Sequence, residues 1–237
     1  MLLDGDVDGA VAAYTEAINL LAELEHREDM SQVQLKLAEI TARQGDVARA
    51  RELSAAARST AELSGSPIGR DVAAAWWAAF EVTWGDVDAA RPLHAETARL
   101  LARFSPAHPV RDHLEAMVAV TGAMIAIADD DVRGAREQLV PACRAAVAAQ
   151  DMQLLVLASG ALTELALALG RPERAAELLG ARTVVRGGDD PTDPATVKLA
   201  QLLRAALGED GYARAYQTGK ALSRAEAIEL LDPAELG

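Results

Sequence analysis

The chain has 237 residues, of which 51% are hydrophobic, 3% aromatic and 25% charged, with 36 acidic residues against 23 Lys and Arg for a formal net charge of −13. That is globular composition with enough apolar material for a substantial core, which excludes disordered and collagen-like chains. The surplus of carboxylates lacks the clustered cations that displace counterions from phosphates, so no direct binding of nucleic acid by this chain is expected.

In chain order, a six-residue motif recurs: Gly-Asp-Val-Asp-Gly-Ala at 5–10, Gly-Asp-Val-Ala-Arg-Ala at 45–50, Gly-Asp-Val-Asp-Ala-Ala at 85–90, Asp-Asp-Val-Arg-Gly-Ala at 130–135 and Gly-Arg-Pro-Glu-Arg-Ala at 170–175. Starts at 5, 45, 85, 130 and 170 are 40, 40, 45 and 40 residues apart, and a weaker copy begins at Gly208, 38 further on. Each copy reads as the turn of a helical hairpin. Glycine tolerates the left-handed backbone that ends one helix, Asp or Pro starts the next, and the closing Ala is small where two helices approach.

Helices are therefore expected before each turn, at 31–44, 71–84, 110–129 and 151–169, and after each turn, at 7–24, 47–63, 87–104, 132–149 and 172–186. Both sets carry apolar residues at three- and four-residue intervals, and no β-branched alternation occurs anywhere, so the chain reads as all-α. The longer interval holds Phe104-Ser-Pro-Ala-His-Pro-Val-Arg-Asp112, whose two prolines forbid a continuous helix. A second break at 187–194 is rich in turn formers and precedes helices at 194–207, 209–220 and 224–231. Ser223 with Glu226 three residues on makes a capping box for the last. The organisation expected is a repeat array over 1–187, starting inside a repeat because only Met1 to Asp4 precede the first turn, and a degenerate sixth repeat with capping helices over 188–237.

The single cysteine, Cys143, cannot form an internal disulfide, and no secretory leader opens the chain, so a cytoplasmic location is expected. The most apolar stretches, 116–128 and 154–170, fall short of the roughly 20 residues a membrane span needs, so no membrane association is expected.

Candidate chemistry is sparse. Asp4, Asp6, Asp8 and Gly9 match the opening of a calcium loop, but Thr15 stands where its closing Glu belongs, so a repeat turn explains them better. His94, His108 and His113 with Asp112 lack zinc-ligand spacing. Cys143 sits among Ala residues without a base and reads as a small core residue, and Trp76, Trp77, Phe80 and Trp84 read as a core stripe. No phosphate loop and no nucleophile motif is present, so neither catalytic residues, nor a cofactor, nor a metal is expected, and the chain is not expected to be an enzyme.

A turn Gly-Asp followed by Ala five residues after the Gly, with Leu37 and Ala38, Trp77 and Ala78, and Leu162 and Thr163 on the preceding helices, resembles tetratricopeptide repeats. The period is longer than the usual ~34 residues and overlaps that of HEAT-type repeats. The tail, with Arg204-Ala-Ala-Leu-Gly208, Tyr212-Ala-Arg-Ala-Tyr216, Gly219-Lys-Ala-Leu222 and Ser223-Arg-Ala-Glu-Ala-Ile228, resembles the closing segment of large actinobacterial transcriptional regulators of the antibiotic-regulatory-protein type, in which a DNA-binding domain and a bacterial transcriptional activator domain precede the repeats, or of the large ATP-binding LuxR type. The resemblance implies a right-handed superhelix of tetratricopeptide-like helical hairpins with a helical C-terminal cap. It also implies a role in transcription regulation as a protein–protein interaction or signal-input module. Expected partners are a protein, a peptide or domains upstream in the full-length protein, or a second copy in a homodimer; a homo-oligomerisation scaffold without a separate ligand is the alternative.

In such hairpins the first helix lines the concave side. Counting back from the turns puts Gln32, Leu35, Glu39 and Arg43 there in the second unit, Val72, Ala75, Ala79 and Val82 in the third, and Met117, Val120, Met124 and Ile127 in the fourth. The fourth set is either an adaptable apolar groove or, if the 45-residue interval shifts the register, plain core. The helix at 7–24 carries Val11, Tyr14, Ile18 and Leu21 on one face, which should be partly exposed unless another chain covers it.

Overall fold

A computed structural model describes residues 6–65, 67–102, 105 and 111–232. Asp4, Gly5, Pro106, His108 and Pro109 lie outside them. Among the described residues every regular element is a helix. The chain divides into two compact units, Met1–Val110 and Arg111–Gly237.

The first unit contains α1 (Val7–Glu23), α2 (Arg27–Arg43), α3 (Val47–Leu63), α4 (Pro67–Thr83) and α5 (Val87–Leu101). Each consecutive pair packs together, and α2 also packs on α4. Helices α2 and α4 start four residues before the expected 31 and 71. The charged Arg27-Glu28-Asp29 hides the first start from an apolar count, yet Glu28 and Asp29 suit the positive end of a helix, and Pro67 needs no N–H partner in a first turn.

The turn chemistry matches the expectation at Gly45 and Gly85, which are left-handed at φ 92° and 89°. Asp6, Asp46 and Asp86 then cap α1, α3 and α5 by accepting from the backbone N–H three residues on. The closing Ala10, Ala50 and Ala90 are buried. Leu35, Ala57, Ala73 and Phe80 form a core cluster, with Trp76 and Trp84 packed against it. Helices α3, α4 and α5 are also joined by charge. Arg51 donates to both oxygens of the buried Glu81 at 3.0 Å and to Asp86 at 2.7 Å, and the Trp77 indole donates to Glu81 at 2.9 Å. In α1 only Ala10 is buried; Val11, Tyr14, Ile18 and Leu21 are half-buried, and Leu20 and the C-cap Leu24 are exposed.

The second unit contains α6 (Arg111–Ala128), α7 (Val132–Ala148), α8 (Met152–Ala168), α9 (Pro172–Arg186), α10 (Pro194–Lys220) and α11 (Arg224–Leu230). Helices α6 to α10 each pack on the next, α6 packs on α8, α8 on α10, and α11 on α9. Its leucine-rich interior includes Leu114, Leu139, Leu155, Leu162, Leu179 and Leu203. The fourth motif keeps the turn without glycine, because Asp130 itself is left-handed at φ 59°, while Asp131 caps α7. Gly170 is left-handed at φ 70°, and the closing Ala135 and Ala175 are buried.

The sixth copy departs from the pattern. Helices expected at 194–207 and 209–220 form one element, α10, interrupted at Gly208, whose φ of 70° and ψ of 167° leave the helical region. Its closing Ala213 is exposed while Tyr212 is buried, so the short side faces solvent instead of a partner helix. The capping box of α11 is formed, with the Ser223 N–H donating to Glu226 at 2.8 Å and the Glu226 N–H to the Ser223 hydroxyl at 3.3 Å.

Candidate functional site

In the first unit, Gln32, Glu39, Arg43, Val72 and Val82 are half-buried, on the faces of α2 and α4 that water reaches, whereas Leu35, Ala75 and Ala79 are buried in the core. The accessible line on α2 runs through Lys36 instead of Leu35. One residue of phase, about 100° around a helix, separates these readings. Lys36 and Arg43 both approach Glu39, at 3.6 and 2.8 Å, and the Lys36 ammonium lies 4.7 Å from the centroid of the Trp76 ring. Of the aromatic stripe only Phe80 is buried, stacked on Trp84 at 5.4 Å; Trp76, Trp77 and Trp84 are half-buried, and Trp76 also borders the α2 charges.

In the second unit the set on α6 is core, the second of its two readings. Met117 and Val120 are 0% exposed and Met124 is buried; only Ile127 is half-buried. Helix α6 has α7 on one flank and α8 on another, which covers the face that the count from Asp130 selects.

The accessible stripe of this unit lies one hairpin further on. Gln32 lies 13 residues before Gly45, Leu35 10 and Glu39 6; the same count from Gly170 reaches Leu157, Gly160 and Glu164. All three are half-buried, between the buried Leu154 and Leu155 and the buried Leu165 and Ala166. The sequence carried this signal, because Glu164 is the one charged residue within the apolar run at 154–170. Burial pushes its carboxyl above the ordinary range, against the opposite pull of the Lys198 ammonium on α10. Among the described residues Glu164 accepts no hydrogen bond and forms no ion pair.

Several of the other candidate residues have structural partners. Asp6 caps α1, and Asp8 accepts from Gln44 at 3.2 Å. His113 is in α6 and bonds at 2.6 Å to Asp151, which also caps α8. Cys143 is buried, and desolvation pushes its thiol up to about 12. Among the described residues no group of three His, Cys, Asp or Glu side chains is placed to hold a metal ion, and no helix is long and apolar enough to cross a membrane. Compared with protein-family models, curated proteins and solved structures, the chain matches none.

Proposed function

We propose that the chain is a protein–protein interaction or signal-input module of a bacterial transcriptional regulator, built as a right-handed superhelix of tetratricopeptide-like hairpins with a period of about 40 residues. The observation that carries this reading is the packing of alternate helices, α2 on α4 and α6 on α8, in addition to hairpin neighbours. Within each unit, helices that pack both within and between hairpins stack side by side, and stacked hairpins offer a surface suited to a polypeptide. The recurring turn supports it, with a left-handed residue, an Asp cap and a buried Ala at Gly45, Gly85 and Asp130. The regulator assignment rests on the likeness of the tail residues 204–228 alone.

Two measurements test the proposal. An in-frame DNA-binding domain encoded immediately upstream supports the regulator, and an unrelated upstream reading frame overturns that part. Sedimentation at several concentrations separates the module from a homo-oligomerisation scaffold, which the exposed Leu20 and Leu24 on α1 would favour. A monomer throughout that range, together with a partner recovered in a two-hybrid screen, is the expected result. Concentration-dependent assembly without any heterologous partner would replace the module by the scaffold.

A further inference from the structure

Two neighbouring half-buried residues on α8 lack the protein contacts that their kind has elsewhere in the chain. The first is Glu164. Every other Asp or Glu whose side chain is described and buried or half-buried has a side-chain donor: Glu81 has Arg51, Asp193 has Arg182, Asp151 has His113, and the rest are likewise paired. Glu164 alone has none: its carboxylate is half-buried, keeps only part of its contact with water, and no protein donor replaces the part it has lost. The nearby Lys198 is exposed and does not bond to it.

The second is Gly160, one turn before Glu164 on the same stripe. Glycine inside a helix is less stable than alanine, and here no contact requires it. A Cβ on Gly160 would meet nothing within 4 Å, whereas one on Gly180 or Gly219 would strike the backbone of a neighbouring helix. The space at Gly160 therefore opens outward.

We propose that Leu157, Gly160 and Glu164 form a docking site for a polypeptide segment bearing a Lys or Arg, its backbone passing over Gly160 and its cation pairing with the Glu164 carboxylate. Charge complementarity selects this occupant: Glu164 has no protein donor, it lies in an apolar stripe where a paired cation is worth more than in water, and the chain's net charge of −13 attracts basic partners. Leu157 supplies the apolar contact two turns from the carboxylate. The site rests on the reading of the chain as a protein-binding module and names the chemistry of its partner.

The test is selection of binders from a phage-displayed library of random dodecapeptides on the intact chain, with thermal melts verifying the fold of every variant. Selected peptides should share a Lys or Arg. Their affinity should fall roughly tenfold or more with Glu164→Gln, the loss of one charge-assisted hydrogen bond. Gly160→Leu should block them, and Lys198→Ala, by removing a competing cation, should tighten them severalfold. Peptides without a shared basic residue, or with unchanged affinity for Glu164→Gln and Gly160→Leu, overturn this site while leaving a protein-binding module standing. A library yielding no binder at all overturns both. Should Gly160→Leu fail to fold, Glu164→Arg decides: selection on that variant should turn to acidic peptides, and a persisting basic preference overturns the proposal.

Discussion

Gly180 of α9 and Gly219 of α10 face each other backbone to backbone. A Cβ on Gly180 would collide with the Tyr216 carbonyl oxygen and stand 2.8 Å from the Lys220 nitrogen, and one on Gly219 would collide with the Glu177 carbonyl oxygen. The two helices approach this closely only because neither residue has a side chain. Gly180→Ala or Gly219→Ala should each destabilise the chain by about 1–3 kcal/mol through overpacking. Gly160→Ala, the same change where space is open, should stabilise it by up to about 1 kcal/mol. Denaturant unfolding monitored by circular dichroism measures all three, and equal signs at 160 and 180 would contradict the geometry.

The left-handed turn positions make a second opposed pair. Gly45, Gly85 and Gly170 have φ of 92°, 89° and 70°, while Glu25, Asp130 and Gln150 adopt φ of 58°, 59° and 54° with a Cβ. Glu25→Gly, Asp130→Gly and Gln150→Gly should therefore be neutral to stabilising, by about 0.5–1 kcal/mol, and Gly45→Ala should cost about 1 kcal/mol. Destabilisation by all three replacements with glycine would show that these side chains hold the turns by contacts of their own.

Turns were legible in the sequence because they depend on local chemistry: one residue tolerating positive φ, one carboxylate reaching the N–H three residues on, one small side chain. Which face of α6 meets solvent was not, because it depends on which helices flank it. Met117 and Val120 look like groove residues in an amphipathic count, and neighbours distant in sequence bury them. The start of α2 at Arg27 was hidden by its charged first turn, and the pairing of His113 with Asp151, 38 residues apart, has no sequence signature. Glu164 was visible as a charge in an apolar run, but its lack of a donor is a three-dimensional fact.

Burial of the closing alanine separates true turns from the degenerate one. Ala50 and Ala90 are 0% exposed, so Ala50→Glu or Ala90→Glu must bury a carboxylate and should cost several kcal/mol, on the order of 3 or more. Ala213 occupies the corresponding position of the sixth copy but is exposed, so Ala213→Glu should change stability by less than about 0.5 kcal/mol. Melting temperatures unaffected by the first two, or strongly lowered by the third, would place these residues differently.

Two carboxylates should give the stability profile opposite slopes with pH. Burial raises the Glu164 carboxyl above 4.5 in the folded chain, so between its unfolded and folded values the folded state holds a proton that the unfolded state has lost. Its contribution to stability therefore declines as pH rises through that window, and Glu164→Gln should be neutral in acid and increasingly stabilising toward neutral pH. Asp189 is held below 3.8, first by its hydrogen bond from Lys220 at 2.5 Å and then by that from Tyr216 at 2.6 Å. Its contribution is present above the unfolded value and is lost as pH falls through the folded one. Asp189→Asn should accordingly destabilise at neutral pH and cease to matter in strong acid. Unfolding free energies of the parent and both variants, taken at intervals from acid to neutral pH, read the two differences directly. A Glu164→Gln difference that is flat across the series would mean that the carboxylate is satisfied in solution by water or by a donor, and the case for a docking site at Gly160 and Glu164 would fall with it.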